Sequence, residues 1–478
     1  MSLTSALHAA NSGLNAASRG ALVVADNVAN VATPGYAPRS LGLSSTVLGG
    51  TGTGVAVTGV ARNIDPGLLA ARRSADGAQE AATLTVGFWR DLEQTVGVGE
   101  DPGALTRRID RLGVALQDAV SRPDSDARLD AVLSSATQIT TKFHEIESSI
   151  QAARLDADRQ IARDVMRVNE GLEQLDALNR DITRQTLRGL APNGLIDQRQ
   201  RLIDSIAEII PVQEVAGAHG AIRLIGPGGQ MLTGSEPARF DFAPAGTVTA
   251  QNSVSTGGLS GLTLNGRAVD TSADGPLAGG RLAASFAVRD TAAPAAQDGL
   301  DALARDLIAR FEAPQGDPSL PAGTPGLFIE ANPAGIPAGL AGRIQVNPDA
   351  DPAQGGDLWK LRSGLGATLP GPVGETRVLA AMADAMDIPQ AMSPGSAQRG
   401  ASGNAAAFLS EVGTERQSAE NANAFSTARL QELETRLAAD GVDSDAELQR
   451  LLMIEQSYAA NARVIRAIDD MLRRLTEL

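Results

Sequence analysis

A chain of 478 residues has room for about three domains, and 43% hydrophobic with 20% charged residues is an ordinary globular composition. A formal net charge of −15 with no basic run excludes a general phosphate-binding role, because nucleic-acid binding needs clustered Lys and Arg. The absence of cysteine excludes a disulfide, a thiolate nucleophile and Cys-ligated zinc, and aromatics at 3% leave the cores to Ala, Val, Leu and Ile.

The first twenty residues lack the basic start and the apolar run of a cleavable secretory signal. Apolar side chains recur at Leu3, Leu7, Ala10, Leu14, Ala17, Ala21, Val24, Val28 and Val31, spaced alternately four and three residues apart. That is a heptad seam, and it predicts a helix of about 30 residues. Thr33-Pro34-Gly35-Tyr36 ends it, since the residue before proline avoids the α region and glycine accepts positive φ. The glycine run from Gly49 to Gly54 matches neither a dinucleotide nor a P-loop fingerprint, and it reads as a flexible loop or hairpin turn.

A second heptad pattern runs through Leu129, Val132, Ala136, Ile139, Phe143, Ile146, Ile150, Ala153 and Ala157, then slips phase through Ile161, Val165, Val168, Leu172 and Leu175. One long helix is expected over 129–182. A shorter amphipathic helix follows Pro192-Asn193-Gly194 and stops at Pro211. Of the 24 prolines 19 fall between Pro192 and Pro394, and beyond Pro211 the text changes to short β-like pieces such as 221–225 and 261–264. A further helix is expected over 297–311.

No proline follows Pro394. The C-terminal region reads as two helices with a joint at Asp440-Gly441-Val442-Asp443, and Ser444 with Glu447 fits a capping box. The last helix carries a second seam: Leu451, Ile454, Tyr458, Asn461, Ile465, Ile468, Leu472 and Leu475. Asn461 is either a register-fixing core residue or a polar residue at the helix edge.

Little in the sequence points to chemistry. His8, His144 and His219 are far apart and match no metal-ligand spacing, and lysine occurs only at Lys142 and Lys360, so no P-loop lysine is available. Carboxylate pairs such as Asp349 with Asp351, or Asp469 with Asp470, read as solvated surface. No catalytic, cofactor or metal residue is predicted. No stretch approaches the roughly 20 apolar residues that span a bilayer. The terminal seams, largely alanine at one end, bury too little to hold a lone pair of helices firmly, and they read as assembly elements.

Asn11-Ser12-Gly13-Leu14-Asn15-Ala16, followed by the stretch from Asp26 through Asn27, Asn30, Thr33, Pro34 and Gly35 to Tyr36, resembles the N-terminal signature of the flagellar axial family of rod, hook and hook-associated proteins. The stretch from Gln456 to Ile465 is similar to that family's C-terminal signature. Inside the chain, Leu195-Ile196-Asp197-Gln198-Arg199-Gln200-Arg201-Leu202 after a long helix, and Gly279-Gly280-Arg281-Leu282 with Val288-Arg289-Asp290, resemble the hook-associated branch.

The resemblance implies a structural subunit and not an enzyme. It implies export without signal cleavage through the flagellar type III channel and an extracellular place in the flagellum. Its expected partners are further copies in a ring, the hook protein, a second junction protein on the filament side, and an export chaperone at the C-terminal region; no nucleic acid, membrane or cofactor is expected. The alternatives are another axial subunit, of hook or distal rod, and more remotely a secreted hydrolase carrying axial helices.

The expected fold is mainly α with a β-rich central domain, in a discontinuous multidomain chain. Residues 1–45 with 441–478 form a terminal coiled-coil domain of paired helices, 46–211 with 366–440 a long-helix bundle, and 212–365 an inserted β-rich outer domain.

Overall fold

The computed structural model describes residues 3–33, 35–48, 51–226, 228–234, 236–272, 274–331 and 338–476. The fold is mainly α. Helix α1 (Leu3–Ala29) leads through a turn into an antiparallel hairpin of β1 (Arg39–Leu48) and β2 (Thr51–Arg62), then α2 (Pro66–Val96), α3 (Leu105–Ser121), α4 (Asp126–Leu187) and α5 (Asn193–Ala207). Small strand pairs follow: β3 (Gln213–Ala216) with β4 (Ile222–Ile225), and β5 (Phe240–Asp241), β6 (Thr263–Leu264) and β7 (Arg267–Ala268) in one three-stranded sheet. Helix α6 (Arg281–Ala287) passes through a π-helical turn into α7 (Ala293–Phe311). The hairpin of β8 (Phe328–Glu330) and β9 (Ile344–Val346), then α8 (Lys360–Ser363), α9 (Arg377–Asp387), α10 (Ala401–Ala439) and α11 (Ser444–Thr476), complete the chain.

Two compact units result: residues 1–78, 167–239 and 426–478 in one, and 79–166 with 240–425 in the other. The segment expected as an inserted β-rich domain is divided between them. Its strands are only two to four residues long and its longest element is α7, because the frequent Gly and Pro there make turns rather than strands.

The second unit holds the larger core. Leu129, Val132, Ala136, Ile139, Phe143, Ile146 and Ile150 of α4 are all fully buried, so the apolar period read from the sequence is the core face of the helix. Against it pack Leu105, Ile109, Leu112 and Leu116 of α3, Leu300, Leu303 and Leu307 of α7, and Phe408 of α10. Gly299 makes room for that phenylalanine, since a Cβ there would stand 3.2 Å from its ring.

Where the apolar phase of α4 slips, its buried face carries charge. Asp158 meets Arg289 at 2.7 Å with both side chains fully buried, and Asp164 meets Arg281 at 2.8 Å. Arg154, also buried, donates to the carbonyls of Arg289, Thr249 and Asn252. A buried guanidinium persists only with its donors paired: Arg281 uses carboxylates, while Arg289 and Arg154 also collect backbone carbonyls. Arg310 repeats the arrangement: it pairs with Asp306 at 2.8 Å and donates to the carbonyls of Ala385, Ile388 and Arg399.

Candidate assembly site at the paired terminal helices

In the first unit α1 and α11 lie side by side and antiparallel, in a heptad register that recurs three times. Asn461 seats against Gly13, where an added Cβ would fall 2.6 Å from its Nδ2. Seven residues on, Ile454 seats against Gly20, with the corresponding gap 3.1 Å; seven further, Glu447 Oε1 accepts from Asn27 Nδ2 at 3.1 Å. Small residues on one helix thus receive larger ones from the other.

The buried face of α1 is Ala10, Ala16, Ala17, Gly20, Val23, Val24 and Asn27. Of the seam read from the sequence, Val24 is buried, Leu3 and Leu14 are half-buried, and Leu7, Val28 and Val31 are exposed, Val31 lying past the helix end. On α11, Ile468 is buried, Ile454, Asn461 and Ile465 are half-buried, and Leu451, Tyr458 and Leu472 are exposed; the side chain of Leu475 lies outside the described residues. The offset has a geometric cause: glycine and alanine let the helices approach closely, which narrows the contact to one row and leaves the flanking large side chains outside it.

Those uncovered side chains are numerous. Leu448, Leu451, Leu452, Met453, Tyr458, Val464, Met471 and Leu472 of α11 are each at least 38% exposed. Beside the seam an apolar groove of about 410 Å³ opens between α1, the hairpin and α11, lined among others by Ala17, Gly20, Leu41, Leu43, Met453 and Ile454.

The turn after α1 is built around Asn27, which is fully buried with all four of its hydrogen-bonding positions filled. Nδ2 donates to the carbonyl of Arg39 at 2.9 Å and to Glu447; Oδ1 accepts from the Tyr36 hydroxyl at 2.8 Å and from the Arg39 N–H at 3.0 Å. Asn30 donates to the Asp26 carbonyl and accepts from the Thr33 hydroxyl at 3.1 Å. Gly35 takes φ of 74°, as the motif requires, and Pro34 lies outside the described residues. Burial pushes the Tyr36 hydroxyl above its ordinary pKa against the pull of Arg39, and so keeps it a donor.

Sequence reasoning missed three members of this site. Arg39, which bonds Asn27 through both backbone groups, places its guanidinium 4.8 Å from the Tyr36 ring and 2.7 Å from Asp197. Arg62 lies 2.8 Å from the other Asp197 oxygen. Glu447 was read as half of a capping box; the cap is instead Asp443, whose Oδ1 accepts from the N–H groups of Asp445 and Ala446, because the helix begins one residue earlier than that motif needs. The Glu447 side chain serves Asn27 and Arg450. A buried acid in a first helical turn has no sequence signal apart from its partner.

The other singled-out residues lie elsewhere. His144 contacts the Ile344 carbonyl at 2.9 Å, His219 sits in a left-handed turn, and His8 is exposed. Thr51 to Gly54 belong to β2, while Gly49 and Gly50 lie outside the described residues. Asp349 pairs with Lys360, and Asp469 with Arg473. Among the described residues no group of three or more His, Cys, Asp or Glu is placed to hold a metal, and no helix is long and apolar enough to cross a membrane.

Comparison with known proteins gives concordant matches. Residues 90–318 match the helical domain of the flagellar hook-associated protein FlgK, and residues 434–478 match the C-terminal segment of the flagellar basal body rod proteins of the FlgEFG type. Flagellar hook-associated protein 1 of Salmonella typhimurium is 25% identical over 244 residues, covering 50% of this chain and 44% of the relative. That of Bacillus subtilis is 26% identical over 225 residues, covering 43% of each. The chain therefore spans less than half the length of the curated relatives it matches. The flagellar hook junction protein FlgK of Burkholderia pseudomallei aligns in structure over 54% of this chain and 46% of its own, at a TM-score of 0.44 and 19% identity. Two flagellar family models thus match this one sequence in succession, and over those residues the chain is similar to the flagellar axial proteins, with the likeness to the FlgK helical domain spanning residues 90–318.

Proposed function

We propose that this protein is a structural, non-catalytic subunit of the bacterial flagellum that forms the junction between hook and filament. One observation carries the reading: residues near the two ends of the chain meet as an antiparallel helix pair whose close contact uses small side chains, while large apolar ones on α11 stay uncovered. An exposed apolar surface of that kind marks a docking face. Further copies of the chain, joined in a ring with their terminal pairs supercoiled as a tube, would cover it. The expected seam residues Leu7, Val28, Val31, Leu451, Tyr458 and Leu472 are among those such neighbours would reach.

On this reading the subunit leaves the cell through the flagellar type III channel, its C-terminal region held beforehand by a chaperone, and takes its place outside between the hook protein and a second junction protein. A strain lacking the gene should build hooks, fail to retain filaments and lose unpolymerised flagellin to the medium. Normal swimming filaments in that strain would refute the assignment.

A further inference from the structure

The segment 195–202 of α5, similar to a hook-associated motif, has no part in the assembly reading; Arg199 turns to Asn179 and the Gly220 carbonyl, while Asp197 and Gln200 share a task at the hairpin. Arg39 and Arg62, the first residue of β1 and the last of β2, are register partners at the base of the hairpin. Like charges directly opposite on paired strands repel. Asp197, whose side chain is 6% exposed, stands between them, with Oδ2 2.7 Å from Arg39 Nη2 and Oδ1 2.8 Å from Arg62 Nη2. One turn on, Gln200 Oε1 accepts from Arg62 Nη2 at 2.7 Å. Arg201 fills the space beside Gly35, where a Cβ would fall 2.7 Å from its Cγ.

Arg39 also faces the other way. Its backbone N–H and carbonyl are both bonded to Asn27, which in turn holds Glu447 of α11. Glu447, Asn27, Arg39 and Asp197 form one unbroken polar chain from the α1–α11 pair to α5. The described residues between α1 and β1 form turns with no helix or strand among them, and a two-stranded ribbon is only marginally stable by itself. These bonds hold the joint, together with the buried Ala37 and the packing of the hairpin on α1.

We propose that Asp197 is a positioning residue which, acting through Arg39, fixes the angle at which the terminal helix pair stands on α5. The proposal concerns the isolated subunit and holds whatever the assembly reading's fate.

The test is a distance measurement on the monomer. The chain has no cysteine, so Leu22→Cys on the exposed face of α1 and Ser205→Cys on α5 give a unique pair of spin labels. In the parent protein their distance distribution should be narrow. Asp197→Asn keeps the shape but removes the charge between two guanidinium groups, and should broaden the distribution and displace its maximum. Asp197→Asn combined with Arg62→Gln relieves the repulsion without restoring the pull on Arg39, and should stay broad; a return to the parent distribution would mean that Asp197 only balances charge, and would overturn the proposal. Arg39→Met keeps the backbone bonds to Asn27 and deletes only the guanidinium. It should broaden the distribution even where Asp197→Asn fails to fold, and an unchanged distribution in this variant would equally overturn the proposal.

Discussion

Asn27, in the last turn of α1, donates to Glu447 in the first turn of α11, a contact between residues 420 apart in sequence. Of the three steps of the register it is the one joined by a side-chain hydrogen bond, the others being Gly13 with Asn461 and Gly20 with Ile454. A slip of one heptad in one direction would place Glu447 against Gly20 and carry Asn27 past the start of α11, and a slip in the other would set Asn27 against Ile454; either leaves Asn27 and Glu447 without each other. The Asn27–Glu447 pair therefore selects the register, as a buried polar residue does in coiled coils.

Asn27→Ala removes the partner of the Tyr36 hydroxyl, of both Arg39 backbone groups and of Glu447. Leaving such groups buried and unpaired costs about 3 kcal/mol. Both tyrosines, Tyr36 and Tyr458, lie in the first unit, and both tryptophans, Trp89 and Trp359, in the second. Urea unfolding followed by tyrosine emission should shift to lower denaturant, while the tryptophan transition should hold still. Coincident shifts of both signals would show that the effect is not confined to the terminal pair.

Leu472→Asp tests whether the outer face of α11 is an assembly surface. A charge there opposes burial against a neighbouring helix. The secreted variant should fail to enter flagella, yet its tryptophan-reported melting should match the parent's, because distant sites behave independently. Full filaments built with the secreted variant would count against the surface; a large fall in the main transition would show that the helix end is core.

Arg310→Met puts an uncharged side chain where a fully buried guanidinium joins α7 to the carbonyls of Ala385, Ile388 and Arg399. It also leaves Asp306 buried beside no cation. Removing one partner of such a pair costs about 3 to 5 kcal/mol, and the loss should appear in the tryptophan transition alone. A change under about 1 kcal/mol, the scale of an exposed pair, would contradict this role.

Glu147 provides a pH test within the second unit. Burial raises its carboxyl pKa above the ordinary 4.5, nearby Asp301 adds to the rise and Arg343 opposes it. A raised folded-state pKa means that the neutral form is favoured in the fold: its stabilising contribution is complete below pH 4.5 and is lost as pH climbs through the folded value. Glu147→Gln should consequently be more stable than the parent at neutral pH, with the difference closing as the pH falls towards 4. Equal stability of the two proteins across that range would remove the burial argument.

Backbone protection supplies a last test. Amides of residues 129–182, on a helix whose core side chains are buried, should exchange hydrogen slowly, while those up to Tyr36 and beyond Asp443 exchange faster in monomer. Equal protection in a dilute, verified monomer would mean that the terminal pair is held as firmly as the core.

The helices of the chain were largely legible. Apolar spacing marked α4 from Leu129 onward because one face of it is wholly buried, and the joint after Ala439 marked an end that the structure keeps, whereas α5 ends at Ala207, short of the stop expected at Pro211. Helices α2 and α3 carried no motif and were not anticipated, and of the long hairpin only a loop or turn in the Gly49–Gly54 run was read, not its two strands. The seam on α1 was misplaced by a residue or two, since spacing identifies large apolar residues whereas this contact is made by Gly13, Gly20 and the alanines between. Asn27 and Tyr36 were found by resemblance, but their bond to one another, and the parts of Arg39, Asp197 and Glu447, depend on tertiary neighbours that no local pattern encodes.

The glycines that admit Asn461 and Ile454 have an energetic side. Each costs α1 up to about 1 kcal/mol of intrinsic helicity relative to alanine, and the Asn, Ser and Val residues around them add to that deficit. Alone, such a segment is a poor helix, so α1 takes its shape from α11. Pulled away from its partner, it would unspool readily into an extended thread, and meeting that partner again would wind it back.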